Sequence, residues 1–237
     1  MPASVSGRCP AKRSLVVKHL HSALLLCAVL ALLVASPLYG ANAAVGKAWS
    51  GNDWRYSETH NDSREFAPGG SIHVHMTVGD VHIKRGDSTK IRLEYTVKSR
   101  HERNVKDASV DFDVHGKDAN IEFHVPSSNN TEIDVELEVP QTTNLEVHEQ
   151  VGDLTIDNIE GDKDLSLGVG DIRVNVGHTG YRLVNASTGI GDVDGTVSGD
   201  ERGEVSGWLG KTLKYRGDGK YELRAHVGVG DIRLEGK

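Results

Sequence analysis

Five aspartates follow glycine at recurring positions, in the pairs Gly79-Asp80, Gly152-Asp153, Gly170-Asp171, Gly191-Asp192 and Gly230-Asp231. If a coiled backbone stacks these pairs, their carboxylates form a column, and oxygen ligands in a column suit calcium. The calcium-binding solenoid repeat, however, is a nonapeptide with a Gly-Gly-x-Gly-x-Asp core, about half the period seen here. Aspartate after glycine also bonds to nearby backbone amides and shapes turns, so these ten residues read as structural turns and no cofactor is expected.

Histidine offers a second chemistry. His73, His75 and His82 fall on the polar parity of two runs separated by a Val78-Gly79 turn, and three converging imidazoles suit zinc or copper. The competing reading is three solvated histidines on exposed strand faces. A third chemistry is glycan cleavage by paired carboxylates: Asp171 with Arg173 and Asp231 with Arg233 can share an outward face, with Asp192 and Asp194 between them. Acidic pairs are spread over the whole chain, as a solvated face requires, and a general acid needs a pKa raised by burial or crowding. No catalytic residue is therefore assigned. Trp208 is the candidate binding anchor, in a glycine-rich stretch that interrupts the repeat, where it either contacts a carbohydrate or protein or folds over the end of the stack as a cap. The Gly-x-Gly fragments lack the further glycine and the helix that a nucleotide loop needs.

The elements that must position these residues are strands. Gly168-Val-Gly-Asp171, Gly189-Ile-Gly-Asp192 and Gly228-Val-Gly-Asp231 are near-copies, and Val78-Gly-Asp80 and Val151-Gly-Asp153 are looser versions. Self-similarity of this kind marks a solenoid, in which each coil buries its apolar face only against its neighbours. The Gly-Asp pairs from residue 152 onward are spaced by 18, 21 and 39 residues; the last spacing is two coils if a degenerate unit lies near Gly207-Trp208-Leu209. After each pair the alternation puts aliphatic residues inward: Val81 and Ile83, Leu154 and Ile156, Ile172 and Val174, Ile232 and Leu234. Further runs of period two are Ile72–Met76, Ile91–Tyr95, Val110–Val114, Ile121–Val125 and Ile133–Val139, divided by Gly, Pro, Asn and Asp turns. No stretch after the N-terminal segment keeps a helical period.

The N-terminal segment reads as a cleaved secretory signal. Arg8, Lys12, Arg13 and Lys18 precede an apolar stretch from Leu20 to Leu38, and Ala41-Asn42-Ala43 supplies a small-residue cleavage site. Retention as an anchor is the alternative, since the stretch approaches the roughly 20 residues that span a bilayer. Both cysteines, Cys9 and Cys27, lie in that segment, so disulfides and thiolate-bound zinc are excluded from the remainder. Its removal takes four of the 27 basic residues and none of the 34 acidic ones, leaving a net charge of −11. That charge argues against nucleic acid or anionic lipid as the principal partner.

Phe66-Ala-Pro-Gly-Gly-Ser-Ile72, Gly79-Asp-Val-His-Ile83, Val135-Glu-Leu-Glu-Val-Pro140 and the recurring Gly-Asp-Val/Ile units together resemble the bacterial "putative adhesin" domains, also described as toast-rack β-solenoids. The resemblance runs from about Phe66 to Leu234 and implies an all-β solenoid in an exported or envelope-associated protein, with no catalytic motif to carry over. The expected organisation is a signal peptide over 1–43, a linker over 44–65, an irregular β portion over 66–143 and solenoid rungs over 144–237. The expected role is non-enzymatic: an exported periplasmic or surface protein that offers a β-solenoid surface to an envelope protein or glycan, without nucleic acid and without a membrane span after signal cleavage. A polysaccharide-acting enzyme on the same scaffold is the alternative. An outer-membrane barrel fits less well, because many of the strands are only five residues long against the 9–11 a bilayer requires.

Overall fold

The computed structural model describes residues 54–87, 89–125, 130–177, 180–197 and 203–236. The expected signal peptide lies outside them. The strands of the first half are β1 (Tyr56–Glu65), β2 (Ser71–Val78), β3 (Asp80–Arg85), β4 (Lys90–Ser99), β5 (Ser109–His115), β6 (Asp118–His124), β7 (Thr131–Val139) and β8 (Asn144–Val151). Those of the second half are β9 (Leu154–Asp157), β10 (Lys163–Val169), β11 (Ile172–Gly177), β12 (Tyr181–Ile190), β13 (Val193–Gly195), β14 (Glu204–Ser206), β15 (Thr212–Arg216), β16 (Tyr221–Val229) and β17 (Ile232–Gly236).

These strands form two sheets, ordered β1-β4-β7-β3-β9-β11-β17-β13 and β14-β15-β12-β16-β10-β8-β2-β6-β5. Five coils each contribute one strand to either sheet, crossing between them at a Gly-Asp turn: β2 to β3, β8 to β9, β10 to β11, β16 to β17 and β12 to β13. Neighbouring coils are parallel and in register, so like residues lie above one another in both sheets. The inward aliphatics Val81, Ile83, Leu154, Ile156, Ile172, Val174, Ile232 and Leu234 are all buried in a core shared by both sheets. The fold is an all-β solenoid, and dry aliphatic columns hold it together where the described residues include no cysteine.

The coils do not stack in chain order. The last coil, β16 and β17, lies between the coil of β10 and β11 and the coil of β12 and β13. The 39-residue spacing is therefore not two coils: residues 204–216 form the antiparallel hairpin β14-β15 beside β12, and the chain then returns to insert its final coil.

Three further expectations are corrected. Residues 56–65, placed in a linker, form β1, which pairs antiparallel with β4 along its whole length. Its side chains are almost all exposed, so no apolar alternation announces it. What recruits it is the open edge of β4, aided by a Thr59 Oγ1 to Thr96 Oγ1 contact of 2.9 Å and by His60 stacked on Tyr95 with centroids 4.8 Å apart. A short helix, Glu102–Asp107, also forms and buries Val105. The 66–143 portion contains a regular coil of its own, because β2 pairs with β8 and β3 with β9.

Candidate interaction surface

The Gly-Asp turns make a ladder along the edge where the sheets meet. The Asp153 amide donates to Asp80 Oδ1 at 3.1 Å, Asp171 to Asp153 at 3.0 Å, Asp231 to Asp171 at 2.9 Å and Asp192 to Asp231 at 2.8 Å. Each aspartate thus bonds the next coil's backbone and fixes its turn. The glycines are required by closeness: a Cβ on Gly152, Gly170, Gly230 or Gly191 would strike the carbonyl oxygen of the glycine in the adjacent coil, at φ values of 136° to 152°. At the open end of this ladder, Lys211 pairs with Asp192, and the Leu209 carbonyl accepts from the Gly191 amide at 3.5 Å. Asp171 with Arg173 and Asp231 with Arg233 do lie side by side on adjacent coils, but Asp192 lies beyond Asp231 and not between them as expected.

The three histidines do not converge either. His73 and His75 lie on the outer face of β2, whereas His82 is in the other sheet, where its Nε2 lies 2.8 Å from Asp157 Oδ2. The side chains that do meet are His73, His75, Glu146 and His148. His73 Nδ1 is 2.9 Å from Glu146 Oε2, His148 Nε2 is 3.0 Å from Glu146 Oε1, and the His75 and His148 rings stack at 5.1 Å. The hydrogen bond from His148, with the charge of His73 behind it, holds the Glu146 carboxyl below its ordinary range. Among the described residues no group of three or more His, Cys, Asp or Glu side chains is placed to hold a metal ion.

The residue before each of these Gly-Asp pairs is aliphatic, and in four of the five coils it faces water. Val151, Val169, Val229 and Ile190 are in register across four coils and are 45% to 52% exposed. Beyond Ile190 the column continues into the segment before β15, with Leu209 at 67% and Trp208 at 97% exposure. The capping reading of Trp208 is thus set aside: its segment closes the ladder through Lys211 and the Leu209 carbonyl, and the indole itself points to solvent. This row was readable in the sequence as Val151, Val169, Ile190 and Val229, each before a Gly-Asp pair, while Val78, in register with Val151, is half-buried. Beside the row, on the second sheet, runs an open trough of about 520 Å³ lined by His75, His148, Ser166, Gly168, His226 and Gly228.

Two buried ionisable groups escaped the sequence reading. Glu149 is 4% exposed, and neither carboxyl oxygen has a hydrogen-bond partner. It occupies an inward position whose neighbours in register are Met76 and Leu167, which the parity of Leu145 and Val147 would have revealed. Burial, reinforced by the charges of Asp80 and Asp153, pushes its pKa up to about 8. Lys163 is also buried, but it donates to the Ile159 and Gly161 carbonyls at 2.8 and 3.1 Å and to Tyr181 Oη at 2.8 Å. Burial lowers its pKa to about 7.

A two-sheet β-solenoid with a laddered turn edge and an exposed aliphatic row defines the class of protein. The family signature described as Toastrack DUF4097 matches residues 70–197, and the chain belongs to that family. Solved structures share the likeness at low identity. A "putative cell adhesion protein" of Clostridium sporogenes is 17% identical over 76% of this chain and 100% of that one, with a TM-score of 0.41. A "putative adhesin" of Bacteroides fragilis is 13% identical over 75% of this chain and 97% of that one, with a TM-score of 0.31. No curated protein matches the chain.

Proposed function

We propose that this chain is a non-enzymatic, exported envelope protein whose solenoid edge binds another component of the envelope, in adhesion or scaffolding. The observation that carries this reading is the continuous exposed aliphatic row ending in a fully solvated Trp208. An isolated exposed valine is ordinary; a registered column of aliphatic side chains leading to an exposed indole is the pattern of a contact surface. Export is supported by the basic, apolar and small-residue order of residues 1–43 and by the absence of cysteine after Cys27. Among the described residues no helix is long and apolar enough to cross a membrane.

Two measurements test the reading. Native envelope extract is passed over the immobilised protein and over its Trp208→Ala variant; the variant is expected to lose captured material while melting as wild type does. Equal recovery of every component would overturn the contact surface. Sequencing the N-terminus of protein made in a bacterial host is expected to find Ala44 first, in the fraction outside the cytoplasm, and an intact Met1 in the cytoplasm would refute export.

A further inference from the structure

The exposed row has a different neighbour on each side, and the two sides together describe a partner. Toward the first sheet, one residue past the glycine, stand Asp80, Asp153, Asp171, Asp231 and Asp192. Asp80, Asp153, Asp171 and Asp231 each use one oxygen in the ladder, and of the five only Asp192 has a Lys or Arg ion-pair partner among the described residues. Toward the second sheet lies the trough, lined by His75, His148, Ser166, Gly168, His226 and Gly228; the exposed Val169 and Val229 follow its two glycines by one residue. From Ser166 to Val169 the strand advances about 10 Å, roughly the width of an α-helix.

An occupant cannot join this edge as a strand. The trough runs across the strands, along the stacking direction, and the backbone groups beneath it are taken up by neighbouring coils: the amides of Gly79, Gly152, Gly170 and Gly230 donate to the carbonyls of Val151, Val169, Val229 and Ile190. A segment lying there must satisfy its own backbone, which a helix does. An anionic membrane would set phosphates against the aspartates. A second copy offers no suitable helix, since the one helix among the described residues spans only Glu102–Asp107.

Resting on the interaction reading above, we infer that the trough and its aliphatic rim receive an amphipathic α-helix of a protein partner, with Lys or Arg along the border that faces the aspartates. The aliphatic stripe of such a helix, at i, i+3, i+4 and i+7, covers Val151, Val169 and Val229, and its basic border meets the free oxygens of Asp153, Asp171 and Asp231.

The probe is a fluorescein-labelled 14-residue Leu/Lys helix with its lysines on one border, compared with a twin carrying Glu for Lys, read by anisotropy against the purified protein at about 0.15 M salt. The lysine peptide is expected to bind at least about tenfold more tightly than its twin. Val169→Ser with Val229→Ser should weaken it about tenfold, and Asp153→Asn with Asp171→Asn about fivefold. Asn keeps the ladder acceptor, and a second-derivative melting scan shows whether each variant stays folded. Equal binding of the twin, or indifference to both variant pairs, overturns the helix assignment. If capture of envelope material still depends on Trp208 in that event, the broader interaction reading survives and only the basic helix is lost.

Discussion

Glu149 is the residue least suited to its surroundings by ordinary chemistry, since a carboxyl stands in a column otherwise made by Met76 and Leu167. With a folded pKa of about 8 against 4.5 for the free side chain, it enters the fold protonated at neutral pH. Its pKa is raised on folding, so its contribution is fully present below pH 4.5 and is lost as pH rises toward 8, by up to roughly 5 kcal/mol. Glu149→Gln is expected to remove most of the fall in urea-unfolding stability between pH 5 and 7. A wild-type slope that persists unchanged in the variant would sink this account. Lys163 acts in the opposite sense: depressed to about 7 from 10.5, it costs nothing above the higher value and progressively more as pH falls toward the lower. The rise in stability from about pH 8 to 10 should therefore flatten in Lys163→Met, while the slope between 5 and 7 stays.

At the scale of elements, the turns are held by closeness and by the aspartate ladder, and the two can be separated. Gly170→Ala places a methyl against the Gly152 carbonyl at a φ of 136°, so a loss of about 3 kcal/mol or more is expected, roughly 6–12 °C in melting temperature. Asp171→Ala removes the acceptor for the Asp231 amide and should cost about 1 kcal/mol, whereas Asp171→Asn should cost less than half of that. Differential scanning calorimetry of the three variants orders them, and an alanine at 170 that melts like wild type contradicts the packing described. Most strands were legible because Ile72–Met76, Ile91–Tyr95 and Ile133–Val139 alternate plainly over a half-buried face. The strand β1 was not, because its faces are both wet and only a partner edge selects its conformation. The order of the coils was equally hidden: four of the five Gly-Asp units carry an inward aliphatic pair, and the fifth has Val193 with Gly195, which packs beside Leu234, so little in the units themselves says which is whose neighbour. The histidines divided for a related reason, since the Gly79 turn carries His82 into the other sheet and parity alone does not say that the sheet changes. The aliphatic row was visible residue by residue, but its exposure depends on the turn lying at the seam of the two sheets.

For the molecule as a whole, the inserted coil is the joint between two parts of the stack. The strand β16 pairs with β10 on one side and β12 on the other, and β17 does the same with β11 and β13. Deleting residues 221–236 should leave residues 181–216 without their parallel neighbours and open to cleavage in limited proteolysis, while 71–177 remain the more protected part. Continued protection of 181–216 after the deletion would show that the joint is dispensable.

That joint also sets a timetable. Residues 181–195 are synthesised before 221–236 yet have no docking place in the stack until those later residues arrive, so this end of the molecule cannot be completed progressively as the polypeptide emerges. A chain obliged to wait in this way stays threadable late, and any narrow conduit it must pass through would meet a loose strand of polymer instead of a finished prism.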